Sequence, residues 1–164
     1  RVCIVGASYG GYAALAGAAF TPDLYRCSVS VAGVSDLVEM LRWVEDRGGI
    51  EDPAVRFWRK HIGKTSDPDV AAFSPARAAD KGTATVLMMH GVDDTVVPYV
   101  QTEYMETAMR RAKTSHEIFK LKSEDHWLSR SPSRIEMLAQ LDRFLDQHIG
   151  TQYKVTVEEQ VAQR

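Results

Sequence analysis

The chain has 164 residues, of which 45% are hydrophobic and 26% are charged. This length suits a single domain, and this balance excludes intrinsic disorder, collagen and coiled coil. Twenty Lys and Arg residues against 22 Asp and Glu residues leave a net charge of −2, so no nucleic-acid partner is predicted. No apolar stretch approaches the roughly 20 residues of a membrane helix, so no membrane partner is predicted either.

Short apolar runs alternate with longer helical patterns along the chain. Strands are predicted at 2–5, 27–32, 86–89 and 117–121, and the first is a continuous apolar run typical of a strand covered on both faces. Helices are predicted at 10–20, 99–112 and 132–147, with shorter helical pieces at 37–45 and 53–62. In the last long helix, Ser131 is expected to cap the start, and the apolar stripe consists of Ile135, Leu138, Leu141 and Leu145.

This alternation, with parallel crossovers, predicts an α/β fold: a three-layer sandwich around a mainly parallel sheet of about four strands. Residues 1–150 are expected to form the domain, and 151–164 a polar tail in which 153–157 could form a short strand. Chemistry in such sheets gathers at the carboxyl ends of the strands. Motifs that directly follow a predicted strand are therefore the candidates for function.

The two cysteines, Cys3 and Cys27, are too few for a disulfide scaffold and are interpreted as buried thiols. The chain opens on Arg1, without Met, and runs directly into the first strand. We interpret it as a fragment of a longer protein, expected to be soluble. Its N-terminus then predicts nothing about targeting, and a cytoplasmic, periplasmic or secreted location stays open.

The first motif, Gly6-Ala7-Ser8-Tyr9-Gly10, is a G-x-S-x-G between the first strand and a helix of small residues. Such a turn holds the serine hydroxyl outward under backbone strain, and side chains at Gly6 and Gly10 are expected to clash with neighbouring backbone. The Tyr9 amide would face developing negative charge. A functionless glycine-rich turn is the alternative, but the strand and helix on either side favour a nucleophile at Ser8.

The second motif, His90-Gly91-Val92-Asp93-Asp94, follows the third strand. An acid at this place can reach the imidazole that activates Ser8. We favour Asp94, because Asp93 is more typical of a residue that bonds turn backbone, although both could be turn aspartates. His90 still lies within its strand and is expected to bond turn backbone.

The third motif, Glu124-Asp125-His126-Trp127, follows the fourth strand. Of the five histidines, His126 occupies a loop at a carboxyl end downstream of both other motifs, while His61, His116 and His148 are interpreted as solvated. A structural histidine is the alternative. The chain order Ser8, Asp94, His126 is that of α/β-hydrolases, in which the histidine is the base and the aspartate orients it.

No cofactor or metal is predicted. No cluster of histidines, cysteines and acids has metal-ligand spacing. The glycine pattern around Ser8 matches neither a dinucleotide fingerprint nor a P-loop.

These motifs resemble the prolyl oligopeptidase family, and within it the acylaminoacyl-peptidase and dipeptidyl-peptidase branch. The likeness runs from about residue 1 to about residue 149 and is carried by GASYGGY at 6–12, AGVSD at 32–36, SP at 74–75, HGVDDTVVP at 90–98 and DHW at 125–127. It implies a serine peptidase that cleaves short peptides through an acyl-enzyme. It also implies a β-propeller, the first half of the hydrolase sheet and a second oxyanion donor upstream of these residues.

Carried onto this chain, the resemblance places the triad on Ser8, Asp94 and His126 and the oxyanion donor on Tyr9. The substrate pocket falls on Val34, with Leu37 and Met40 where many members have aromatic residues, so no proline preference is implied; Trp127 completes it. The first strand is expected to be an edge strand that lacks a hydrogen-bonded neighbour on one side. The 164-residue piece is expected to be weak or inactive by itself, and a homo-oligomer is left open. An esterase of the same fold and a non-catalytic interaction domain are the rival interpretations.

Overall fold

The structure is a computed structural model that describes residues 2–150. Its centre is a parallel sheet of four strands in the order β1-β2-β3-β4. The strands are β1 (Cys3–Ala7), β2 (Cys27–Val31), β3 (Thr85–Gly91) and β4 (His116–Leu121). The predicted α/β class and the parallel sheet are confirmed. The tail at 151–164, with its predicted strand, lies outside the described residues.

Helices cover both faces of this sheet. They are α1 (Tyr9–Phe20), α2 (Leu37–Gly48), α3 (Pro53–His61), α4 (Pro68–Ala72), α5 (Val100–Ala112) and α6 (Ser131–Ile149), with 3₁₀ turns at Pro75–Arg77 and Ala79–Lys81. Side chains of β3 alternate between the two faces: Val86 and Met88 pack with α1 and α5, while Leu87 and Met89 pack with Phe144 of α6. This period-2 alternation produces the three layers.

A third apolar cluster lies apart from these two layers. Residues of α2, α4 and the loops after β2 and β3 form it, with α3 packed against them: Val34, Leu37, Val38, Met40, Leu41, Val70 and Val97 are buried there. Asp36 caps α2 by accepting hydrogen bonds from the amides of Val38 and Glu39. The cap fixes where α2 begins, and so positions the apolar residues that follow it.

The face of α6 differs from the predicted stripe. Ile135 and Leu138 are 69% and 55% exposed, and the helix packs instead through Met137, Leu141, Phe144 and Leu145. Phe144 is fully buried, and its large ring takes the centre of the interface, which turns the predicted stripe partly outward. Arg130, rather than Ser131, occupies the N-cap position, and no side chain caps this helix.

Strand β1 is an edge strand in the part of the chain that the structure describes, where it pairs with β2 alone. The expected edge strand without a second neighbour is therefore present among these residues. The expectation that both faces of this strand are covered is wrong, because Val5 is 46% exposed. The interpretation of the cysteines as thiols is also wrong. Register places Cys3 directly opposite Cys27, with 4.6 Å between the Cα atoms, and the two form a disulfide.

None of the helices within residues 2–150 combines the length and apolar character that crossing a membrane requires. Within the same range, no group of three or more His, Cys, Asp or Glu side chains is arranged to hold a metal ion.

Candidate active site

Ser8 lies at the tip of the turn between β1 and α1, with a φ of 56° and a ψ of −119°. A positive φ is costly for a residue with a side chain and persists only where the surroundings impose it. The Ser8 amide donates to the carbonyl of Val31 at 2.8 Å, and the Ser8 carbonyl accepts from the amide of Tyr12 at 3.0 Å. Strand β2 on one side and helix α1 on the other therefore hold the turn in this conformation.

Gly6 and Gly11, two of the glycines around Ser8, lie against neighbouring backbone that leaves no space for a side chain. A Cβ atom at Gly6 would lie 2.1 Å from the carbonyl oxygen of Gly10, whereas a Cβ at Gly10 would meet nothing within 4 Å. The predicted clash is thus present at Gly6 and wrong at Gly10. A Cβ at Gly11 would lie 2.8 Å from the Cα of Gly33, so the start of α1 touches the backbone of the loop after β2.

The different surroundings of Gly6 and Gly10 predict opposite effects on stability when each glycine is replaced by alanine. Gly6→Ala should destabilise the fold by at least about 3 kcal/mol, because backbone atoms must move to admit the methyl group. Gly10→Ala should leave stability unchanged or raise it by up to about 1 kcal/mol, because alanine favours a helix. Urea denaturation of both variants measures this difference, and equal stabilities would contradict the assigned contact.

Asp94 lies in the loop after β3 and is 6% exposed. Its Oδ1 atom accepts hydrogen bonds from the amides of Val96 and Val97, both at 2.8 Å. Its Oδ2 atom lies 2.7 Å from Nδ1 of His126. Asp93 is exposed, and its amide donates to the carbonyl of Glu124. Of the two candidate acids, it is Asp94 whose carboxylate meets His126.

Two opposing influences act on the pKa of Asp94. Burial alone would raise it, but hydrogen bonds from His90 and His126 and from the amides of Val97 and Val96 outweigh burial and hold the pKa below its ordinary value. The carboxylate is therefore ionised throughout the neutral pH range. A charged oxygen beside an imidazole N–H favours the charged form of that imidazole.

The lowered pKa of Asp94 predicts a pH-dependent contribution to stability. Because the folded value lies below the unfolded one, the contribution is present above the unfolded pKa, about 3.9, and is lost as pH falls through the folded pKa. The difference in unfolding free energy between the unaltered chain and Asp94→Asn should therefore shrink from pH 7 towards pH 3. Denaturation at several pH values measures it, and a difference that stays constant would contradict this assignment.

His126 lies in the loop after β4, between the other two side chains. Its Nε2 atom is 2.9 Å from Oγ of Ser8, and its Nδ1 atom faces Asp94. Because Nδ1 faces a carboxylate it carries the ring proton, which leaves Nε2 to accept a hydrogen bond from the serine hydroxyl. This arrangement is able to remove the proton from Ser8 as Oγ attacks a carbonyl carbon.

The remaining predicted residues lie at different depths below the surface of the molecule. The Tyr9 side chain is 76% exposed, and its amide lies in the first turn of α1, where a helix provides no acceptor. Val34, Leu37 and Met40 are 7%, 8% and 4% exposed and belong to the third apolar cluster. Trp127 is 75% exposed, and its ring meets the His126 ring edge-on at 5.3 Å.

Comparison with known proteins matches residues 1–152 of the chain to the model of the prolyl oligopeptidase family. The chain belongs to the prolyl oligopeptidase family. Among curated relatives, it is 28% identical over 157 residues to dipeptidyl aminopeptidase BIII of Pseudoxanthomonas mexicana and 23% identical over 159 residues to dipeptidyl peptidase family member 6 of Caenorhabditis elegans. Both matches cover 92% of the chain, which spans about a fifth of the length of these relatives (22% and 20%).

Solved structures of similar proteins share the fold of this prolyl oligopeptidase family member. A puromycin-hydrolyzing peptidase of Mycobacterium tuberculosis is 26% identical, with a TM-score of 0.78 over 92% of the chain and 22% of that protein. An acylaminoacyl peptidase of Pyrococcus horikoshii shares the fold at 20% identity, with a TM-score of 0.79 over 99% of the chain and 26% of that protein.

Three histidines of this prolyl oligopeptidase family member differ from the sequence interpretation. His148 is half-buried rather than solvated: its ring packs on Phe144 at 4.4 Å, and burial lowers its pKa. His116 is also half-buried, at the start of β4, where its Nδ1 atom lies 2.9 Å from the carbonyl oxygen of Thr114.

His90 bonds the carbonyl of Val97, which was expected, but it also contacts the carboxylate of Asp94, which was not. The spacing of four residues between His90 and Asp94 is the sequence signal for this contact. The spacing alone does not predict the contact, because the contact also requires the loop after β3 to fold back onto His90.

Proposed function

We propose that these residues carry the catalytic centre of a serine peptidase that hydrolyses peptide bonds of short peptides through an acyl-enzyme. The observation that supports this most strongly is the continuous hydrogen-bonded series Ser8–His126–Asp94, with distances of 2.9 and 2.7 Å. Membership in the prolyl oligopeptidase family and the names of the curated relatives point to the same reaction.

In the proposed reaction, Nε2 of His126 takes the proton of Ser8 as Oγ attacks the carbonyl carbon of the substrate. The resulting oxyanion accepts a hydrogen bond from the Tyr9 amide. His126 then passes its proton to the leaving amine, and an ester to Ser8 remains. A water molecule, deprotonated by His126, then attacks the carbonyl carbon of this ester. The acyl group leaves as a carboxylic acid, and Ser8 regains its proton from His126. Asp94 stabilises the charged imidazole and keeps its proton on Nδ1, without taking that proton.

The substrate side of the proposal rests on residues of the third apolar cluster and on Trp127. Val34, Leu37 and Met40 are proposed as the base and wall of the pocket, and Trp127 as the residue that covers the substrate from the exposed side. Aromatic side chains that are exposed beside a reactive group bury a large area when a ligand binds. An aminoacyl or dipeptidyl group is the proposed acyl portion, since the curated relatives bear the names of dipeptidyl peptidases.

The role of Trp127 predicts a change in binding alone. Trp127→Ala should raise KM about tenfold with kcat within about twofold, because the indole contacts ground state and transition state alike. Steady-state kinetics with an aminoacyl-arylamide measure both constants. Leu138→Ala, which removes another exposed apolar side chain on the outer side of α6, is the matched control and should change neither. A fall in kcat with KM unchanged would contradict a binding role.

A fluorophosphonate probe tests the proposed function in the full-length gene product that carries this sequence. Labelling at Ser8, together with hydrolysis of both an aminoacyl-arylamide and a short-chain ester, is the expected result. Hydrolysis of the ester alone would favour an esterase, and absence of labelling would leave a non-catalytic interaction domain.

A β-propeller, the first half of the sheet and a second oxyanion donor are proposed to complete the working enzyme from outside these 164 residues. The length of the curated relatives, of which this chain spans 22% and 20%, supports that proposal. We therefore expect the 164-residue chain alone to turn over the arylamide weakly or not at all. Turnover equal to that of the full-length gene product would contradict this expectation.

A further inference from the structure

A second histidine lies against the carboxylate of Asp94. His90, near the end of β3, is 1% exposed. Its Nε2 atom is 3.2 Å from Oδ2 of Asp94 and 2.9 Å from the carbonyl oxygen of Val97. Its Nδ1 atom is 2.7 Å from Oγ1 of Thr102, in the first turn of α5.

These partners fix where the His90 ring carries its proton. Nε2 faces an ionised carboxylate and a carbonyl, both of which only accept hydrogen bonds, so Nε2 must carry the proton and donate it. The Thr102 hydroxyl is able to donate to Nδ1 in return. His90 therefore donates one shared N–H, at Nε2, to Asp94 and to the carbonyl of Val97.

We propose that His90 is a positioning residue for the reaction: its Nε2–H group holds Oδ2 of Asp94 towards His126, while the amides of Val96 and Val97 hold Oδ1. The inference rests on the proposed function, in which Asp94 orients His126. The same N–H group also holds the Val97 carbonyl, so His90 fixes both the acid and the loop that bears it.

Other titratable groups surround this arrangement. The Tyr99 ring meets the His90 ring at 5.5 Å, and the Lys120 ammonium lies 4.8 Å from the centre of the Tyr99 ring. Glu124 and Asp125, in the loop that bears His126, add negative charge nearby. Among residues 2–150, His90 and His126 are the two side chains that hydrogen bond to Asp94. Removing the His90 donor should therefore raise the pKa of the Asp94 carboxyl.

Two substitutions of His90 by amide side chains test the role of the Nε2 donor separately from that of the rest of the imidazole ring. The amide nitrogen of His90→Gln reaches the place of Nε2, whereas that of His90→Asn reaches only the place of Nδ1 beside Thr102. The titration of Asp94 is followed by the ¹³C signal of its carboxyl group in the 164-residue chain, with the signal assigned by its loss in Asp94→Asn. The rate of fluorophosphonate labelling is measured in the full-length gene product.

In His90→Asn, we expect Asp94 to take up its proton at higher pH than in the unaltered chain, and labelling to slow by about tenfold. His90→Gln should restore both properties. An unchanged Asp94 titration in His90→Asn would overturn the inference, and so would unchanged labelling or a Gln variant that behaves like the Asn variant. A merely structural role would lower stability in both variants without this split.

Two further measurements keep the inference testable if His90→Asn does not fold. In the unaltered chain at pH 7, the ¹⁵N spectrum should show a proton on Nε2 of His90, and a ring protonated at Nδ1 alone would overturn the proposal. Thr102→Val removes the partner at Nδ1 and should leave the titration of Asp94 unchanged. If the unaltered gene product does not label, the proposed function fails, while the Asp94 titration still decides whether His90 holds the carboxylate.

Discussion

In Ser8→Ala, we expect peptidase activity of the full-length gene product to fall by about 10⁶-fold, the scale of loss when the nucleophile of a serine peptidase is removed. The substitution removes the oxygen that lies 2.9 Å from Nε2 of His126 and leaves no atom able to form the acyl-enzyme. Hydrolysis of an aminoacyl-arylamide measures the loss, and labelling by a fluorophosphonate should disappear with it.

Ser131→Ala is the matched control, because Ser131 is exposed at the start of α6 and its hydroxyl accepts a hydrogen bond from Arg134 of the same helix. Its activity and labelling should equal those of the unaltered protein. Labelling that persists in Ser8→Ala would show that another residue is the nucleophile, and the proposed mechanism would then be wrong.

Asp94→Asn should lower kcat by roughly 10⁴-fold while the fold is retained. An amide at this position offers an N–H group to His126, which favours the imidazole tautomer with its proton on Nε2. That tautomer is unable to accept the proton of Ser8. Kinetics on the folded variant, checked by circular dichroism, measure the effect.

The neighbouring carboxylate provides the control for this substitution. Asp93 is exposed, and its contact with the loop that bears His126 is made by its backbone amide, which an asparagine retains. Asp93→Asn should therefore change kcat by less than about threefold, as expected for a surface substitution away from the reacting groups. Equal losses in the two variants would contradict the assignment of Asp94 as the orienting acid.

The order of elements and the meeting of Ser8, Asp94 and His126 were predictable from sequence because both depend on local signals. Each strand is a short apolar run, and each of the three residues directly follows one. In a parallel sheet the carboxyl ends of the strands share one edge, so residues that follow different strands are brought together without knowledge of their side-chain contacts. Whether these three residues are catalytic stays a prediction.

The sequence-based predictions fail where a contact depends on strand register or on a side chain far away in the sequence. Nothing in the spacing of Cys3 and Cys27 indicates that they stand opposite each other in β1 and β2. The packed face of α6 is set by Phe144 at the centre of its interface, which apolar periodicity does not identify. The contact of His90 with Asp94 requires the loop at 91–97 to fold back on the strand that precedes it. These are long-range facts of packing.

The close contact of the Gly11 and Gly33 backbones limits how the proposed substrate pocket could change in evolution. A Cβ at Gly33 would lie 2.6 Å from the carbonyl carbon of Gly11, so the distance between the turn at Ser8 and the loop that leads to Val34 is set by main-chain atoms in contact. Side-chain substitutions leave that distance unchanged. In the proposed pocket, a new substrate preference would therefore have to come from different side chains at positions 34, 37 and 40.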